Sequence, residues 1–187
     1  MVPCYALLSY FVTGVFLFGG VMSNRKSYFE NFSTSTLWIV LEQNFRELTT
    51  LELKYATTPN KLLKDRIKQI KLVLEVSKNV VVNRYLQDNI SLMKIANLLL
   101  NSEGIQKKVY QELFTLKVLE KEELISLELL SKVIQELDIS ELMMIIRNKE
   151  DSIYGSLALR RYDELIFDVE PDVYQELIMK KRKDRRR

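Results

Sequence analysis

An all-α protein with a membrane-spanning first helix is the fold class the sequence predicts, and three observations predict it. Glycine (5) and proline (3) are scarce while Leu, Ile, Lys and Glu abound, as in helices joined by short turns. Apolar residues recur at spacings of three and four along most of the chain, the period of one helix face. The first 22 residues carry no charged side chain. About 20 apolar residues rising roughly 1.5 Å each cross a hydrocarbon core of about 30 Å.

Residues 1–22 are therefore expected to be a transmembrane anchor, carried by Leu7, Leu8, Phe11, Val12, Val15, Phe16, Leu17 and Phe18. A cleaved signal would want a basic start, a shorter apolar run and a small-residue cleavage site, and none is present. Arg25 and Lys26 follow the run and no Lys or Arg precedes it, which predicts an N-out, C-in orientation with a cytoplasmic body. An extracytoplasmic body is the alternative. The one cysteine, Cys4, lies in the expected span, so no internal disulfide framework exists.

Residues 23–36 read as a juxtamembrane linker, with Tyr28, Phe29 and Phe32 suited to the interface and Ser35 or Thr36 placed to cap a helix. Residues 37–83 read as a long helical hairpin. Its first stripe is Leu37, Leu41, Phe45, Leu48, Leu51 and Tyr55. Thr58 as N-cap with Pro59 at the first helical position opens the second helix, because proline lacks a donor that would go unused there. Leu63, Ile67, Ile70 and Leu74 then share one side, with Lys61, Lys64, Asp65, Lys68 and Lys71 mostly opposite.

Residues 84–178 read as short helices forming an α-superhelical (armadillo-like) or irregular bundle domain. Ile90–Asn101 gives a buried helix, stopped by Ser102-Glu103-Gly104. The next stripes are Ile105, Val109, Leu113 and Leu116, then Leu124, Leu127, Leu130, Ile134 and Leu137. Asp138 and Glu141 have capping-box spacing before Leu142, Met143, Ile145 and Ile146. Asp151 or Ser152 caps a helix carrying Ile153, Leu157, Arg161 and Leu165, and Pro171 opens a last one.

Composition also excludes chemistry. The chain has no histidine, which removes imidazole bases, the Ser-His-Asp and Cys-His nucleophile systems and the commonest transition-metal ligand. No phosphate-cradling glycine loop or nucleophile elbow occurs. Glu120, Glu122 and Glu123 suit a solvated helix face better than an acid/base pair. The expectation is a non-enzyme with no catalytic residue, cofactor, metal or small-molecule substrate.

Residues 179–187 form a basic tail. Residues 178–187 hold seven Lys or Arg against Asp184, a net of +6, and the chain's +3 minus that leaves −3 for the remainder. Lys180, Lys181, Arg182, Lys183, Arg185, Arg186 and Arg187 are candidate contacts to anionic lipid or RNA, ranked behind a plainly solvated tail.

Ile95–Val169 resembles the middle and C-terminal helical region of the flagellar motor switch protein FliG, a fold related to the MgtE N-terminal and MotE-type domains. Ile95-Ala96-Asn97-Leu98-Leu99 through Val109-Tyr110-Gln111-Glu112-Leu113 is similar to that family's helix pair around an apolar turn. Val133-Ile134-Gln135-Glu136-Leu137-Asp138, with Glu141-Leu142 and Ile145-Ile146-Arg147, resembles its "I-L-R-E-V-D-x-x-D-L-A-x-A-L-K". Arg160-Arg161-Tyr162-Asp163-Glu164-Leu165 sits near its "S-K-R-A-A-E-M-L". Ile145 replaces a small alanine, and the family's E-H-P-Q-R motif and glycine-rich hinge are absent. The resemblance implies a non-enzymatic, membrane-anchored part of a motor or secretion assembly, with Arg147, Lys149, Glu150, Arg160 and Arg161 as partner contacts. The functional expectation is a membrane-anchored helical scaffold of a multi-subunit membrane assembly with protein partners. The alternative is a tethered adaptor that binds anionic lipid, RNA or a ribosome through its tail.

Overall fold

The computed structural model describes residues 28–120 and 123–169. These are all-helical, without a strand among them. The anchor expected over residues 1–22, the last helix expected from Pro171 and the basic tail lie outside the described residues. Among the described residues no helix is long and apolar enough to cross a membrane. The chain divides after Val80 into two compact units.

In the first unit a helical turn at residues 28–30 sets Tyr28, Phe29 and Phe32 edge to face, with ring centroids 4.9–5.8 Å apart. Helix α1 (Thr34–Thr57) starts two to three residues earlier than expected. Its cap is Ser33, whose Oγ accepts from the Thr36 N–H at 3.1 Å, while Thr36 itself lies inside the helix. α1 ends at Thr58, whose N–H donates to the Lys54 carbonyl. Helix α2 (Lys61–Gln87) is capped by Asn60, whose Oδ1 accepts from the Leu63 N–H at 2.8 Å. Thr58 thus closes α1 and does not open α2. Asn60 takes that role because its short amide reaches the free N–H groups of the first turn.

The chain reverses between α1 and α2. Arg66 donates through Nε and Nη2 to Glu47, and Lys71 pairs with Glu52 at 2.8 Å. Continuous helix would hold residues 19 apart in sequence about 28 Å from each other, so these pairs require a hairpin. Leu37, Val40 and Leu41 of α1, and Ile67, Ile70, Val73 and Leu74 of α2, are buried. Beyond Leu41 the α1 stripe is only half-buried, at Phe45, Leu48, Leu51 and Tyr55. Asn44 is buried and Phe45 only half-buried, with the Asn44 amide donating to the Val40 carbonyl at 2.8 Å.

The second unit takes the last residues of α2 and then α3 (Leu92–Leu100), α4 (Gly104–Glu120), α5 (Leu127–Gln135), α6 (Ile139–Asn148) and α7 (Ile153–Val169). Val81 and Val82, β-prone as a cluster, are buried in helix. α2 ends where Asn89 turns into the left-handed region at φ 49, a conformation that asparagine tolerates better than most residues. α3 packs on α4 and α5, α4 on α6, α5 on α7, and α6 on α7. Leu92, Ile95, Leu99, Leu113, Phe114, Leu130, Leu142 and Ile145 fill the core. Two stripes are corrected. Leu124 and Leu127 are exposed, leaving Leu130, Val133 and Ile134 as the buried face of α5. On α7, Ile153 is exposed and Tyr154, Gly155 and Ala158 are buried in its place.

Candidate functional site

α4 is the helix the second unit is built around, and its polar residues are buried with the apolar ones. Ile105, Val109, Leu113, Phe114 and Val118 meet neighbours on several sides, and Gln111, Thr115 and Lys117 are buried too. A buried polar group must be paired or its desolvation goes uncompensated. Gln111 donates to the Glu136 carbonyl and at 3.4 Å to Asp138 Oδ1, and Lys107 pairs with Glu136. Lys117 donates to Asn89 Oδ1 at 3.1 Å and faces Glu120 at 3.5 Å. The polar side of α4 is thereby tied to the α5–α6 turn at one end and the α2–α3 turn at the other.

This tie explains a failed expectation. Asp138 precedes α6 as its N-cap residue, yet its side chain makes no cap hydrogen bond. Its Oδ1 faces Gln111, and Glu141 bonds the Ser140 hydroxyl at 2.8 Å instead of reaching back. The capping box is present in spacing and absent in bonding.

A second junction forms where α4 leads into α5. Glu123 Oε2 accepts from the Leu92 N–H at 3.1 Å at the start of α3, where the Ser91 hydroxyl also accepts from Lys94. The Glu123 carbonyl accepts from the buried Tyr154 hydroxyl. One residue therefore pins the starts of α3 and α7. Beside it, Leu124 and the turn from Asn148 to Tyr154 line a surface depression. Leu124 is 84% exposed and Ile153 43% exposed, with Lys149, Glu150 and Asp151 around them. The turn is tight. A Cβ on Gly155 would lie 1.9 Å from the Lys149 carbonyl oxygen, so only glycine lets α7 start this close to the end of α6.

Of the five charges expected as partner contacts, this junction brings two together. Lys149 and Glu150 line the depression, and Arg147 stands exposed in the last turn of α6 outside its lining. Arg160 and Arg161 lie about two turns further along α7 and both face Glu164, at 3.4 and 3.3 Å. They are surface pairs within one helix, a kind that contributes little individually. Glu120 and Glu123, weighed as catalytic acids, are engaged with Lys117 and the Leu92 N–H respectively. Glu122 lies outside the described residues. Sequence reasoning missed Leu124 and Tyr154 as site residues, having assigned Leu124 to the α5 core stripe. Among the described residues no group of three or more His, Cys, Asp or Glu could hold a metal ion.

The Tyr85 and Tyr110 rings meet edge to face at 6.0 Å within the same unit. Burial, followed by the hydrogen bond with Tyr85, holds the Tyr110 hydroxyl well above its ordinary pKa of 10.0. On the surface, the Lys132 ammonium hydrogen-bonded to Glu128 lowers that carboxyl.

No protein-family model, curated protein or solved structure matches the chain.

Proposed function

We propose that the chain is a membrane-anchored helical scaffold that docks, through the depression beside Glu123, onto a protein partner in a multi-subunit membrane assembly. The observation that carries this reading is the exposure of Leu124 and Ile153 at a junction hydrogen-bonded through Glu123, with Lys149, Glu150 and Asp151 lining the same depression. Apolar side chains held in water inside a charged rim have the composition of a protein contact. Tethering is supported by the uncharged run of residues 1–22, and a C-in orientation by Arg25 and Lys26.

The neighbour order supports the superhelical form of the fold, because α3 meets α5, α4 meets α6 and α5 meets α7. Stacking of each helix on the next but one is how helical repeat arrays extend. The resemblance of Ile95–Val169 to the FliG helical region makes a motor-type assembly the first class of partner to test. A photoreactive residue at Leu124 or Ile153 of the full chain, irradiated in native membranes, is expected to give one discrete higher-mass product. The same probe at Gln69, exposed on α2, should give none. Absence of a product at both depression positions contradicts the reading.

A further inference from the structure

The tip of the α1–α2 hairpin combines exposed lysines with exposed leucines. From Leu53 to Lys64 the chain carries Lys54, Lys61 and Lys64 and no acidic residue. All three lysines are exposed. The nearby Glu52 is engaged with Lys71, and Glu47 with Arg66. Asp65, one residue beyond the segment, is exposed and makes no ion pair among the described residues. Within the same twelve residues stand Leu62, 84% exposed, and Leu53, 68% exposed, with Ala56 and Pro59 also in solvent.

Two leucines this exposed gain little from the fold. A complementary apolar surface would take these side chains out of water and so favour the bound state. A surface that takes leucine side chains and welcomes three cations, without demanding shape complementarity, is the headgroup boundary of an anionic bilayer. Apolar side chains enter it by about 5–10 Å while lysines stay with the phosphates. Lysine suits that position because its stem lies along apolar surface and its ammonium remains hydrated.

We propose that the hairpin tip, residues 53–64, is a membrane-surface binding site for anionic phospholipid. Leu53 and Leu62 are the inserting side chains, and Lys54, Lys61 and Lys64 are the headgroup contacts. The proposal does not rest on the anchor or on the docking depression, because the tip belongs to the first unit and its chemistry is complete within twelve residues.

The test uses the full chain with Cys4→Ser, which removes the one native thiol, and Leu62→Cys carrying an environment-sensitive fluorophore. The protein is offered vesicles of phosphatidylcholine alone, or of phosphatidylcholine with phosphatidylserine. The label at residue 62 is expected to brighten and shift to the blue only with phosphatidylserine, while the same label at Gln43 stays in water. The signal is local, so attachment of residues 1–22 to either vesicle does not imitate it. Replacing Lys54, Lys61 and Lys64 by glutamine should weaken the response on the order of a hundredfold. Equal signals on both vesicles, or an undiminished response in the lysine variant, would overturn the proposal. So would a response to single-stranded RNA with none to lipid, which would make the tip a phosphate contact of another kind.

Discussion

Gly155 sits against the last carbonyl of the α6 turn, and the geometry leaves no room for a methyl group. Because the obstructing atom is the Lys149 backbone oxygen, a side-chain rotation cannot relieve the clash. Gly155→Ala is therefore expected to destabilise the second unit by about 2–3 kcal/mol, although alanine is ordinarily the better helix former. The shift of the urea midpoint followed by circular dichroism measures it, and an unchanged midpoint would refute the close approach. Asn44 teaches a related lesson. Its Oδ1 is buried and has no hydrogen-bond partner among the described residues, while the amide nitrogen bonds back to Val40. By side-chain type alone Phe45 would be the interior residue and Asn44 the solvated one. The heptad spacing from Leu41 through Leu48 puts position 44 on the inner face, and spacing overrides side-chain preference there.

At the scale of elements, α4 shows where a periodicity reading runs out. Counting by threes and fours found Ile105, Val109 and Leu113, all buried. It could not find that Gln111 and Lys117 are inside too, because their burial is decided by partners on distant turns, Glu136, Asp138 and Asn89, while Thr115 is buried with no hydrogen-bond partner for its Oγ1 among the described residues. The α7 face was displaced by one residue for a similar reason. Ile153 satisfies the stripe, but the close start at Gly155 rolls Tyr154 and Ala158 inward. The element scale also carries a pH prediction from Tyr110. Its folded pKa lies above the ordinary value of 10.0, so below about pH 10 it is protonated whether folded or unfolded. As the pH rises further the unfolded chain gives up this proton first, and stability falls. Urea midpoints measured from about pH 9 to about pH 11 should decline more steeply in the native chain than in Tyr110→Phe. Equal slopes would show that the hydroxyl is not held protonated by the fold.

For the whole molecule, helix content and the separate stripes of α1 to α6 were largely legible in sequence, because short-range periodicity needs no knowledge of neighbours. The boundary expected from sequence falls between residues 83 and 84 and the structure divides the chain after Val80; what was not legible is that α2 runs on through the division to Gln87. Nor was the Glu123 junction, which joins residues 31 apart on either side through one carboxylate and one carbonyl. That junction presents Leu124 and Ile153 to solvent, and the scaffold reading stands on it. The most direct measurement is the mass of the full chain extracted in mild detergent, compared with a Leu124→Asp, Ile153→Asp variant whose substitutions lie in exposed positions. The native chain is expected to elute well above its 22.1 kDa monomer and detergent, together with defined partner subunits, and the variant is expected to lose them while keeping its helical signal. A native chain that elutes as a clean monomer, or a variant that keeps every partner, would contradict the account.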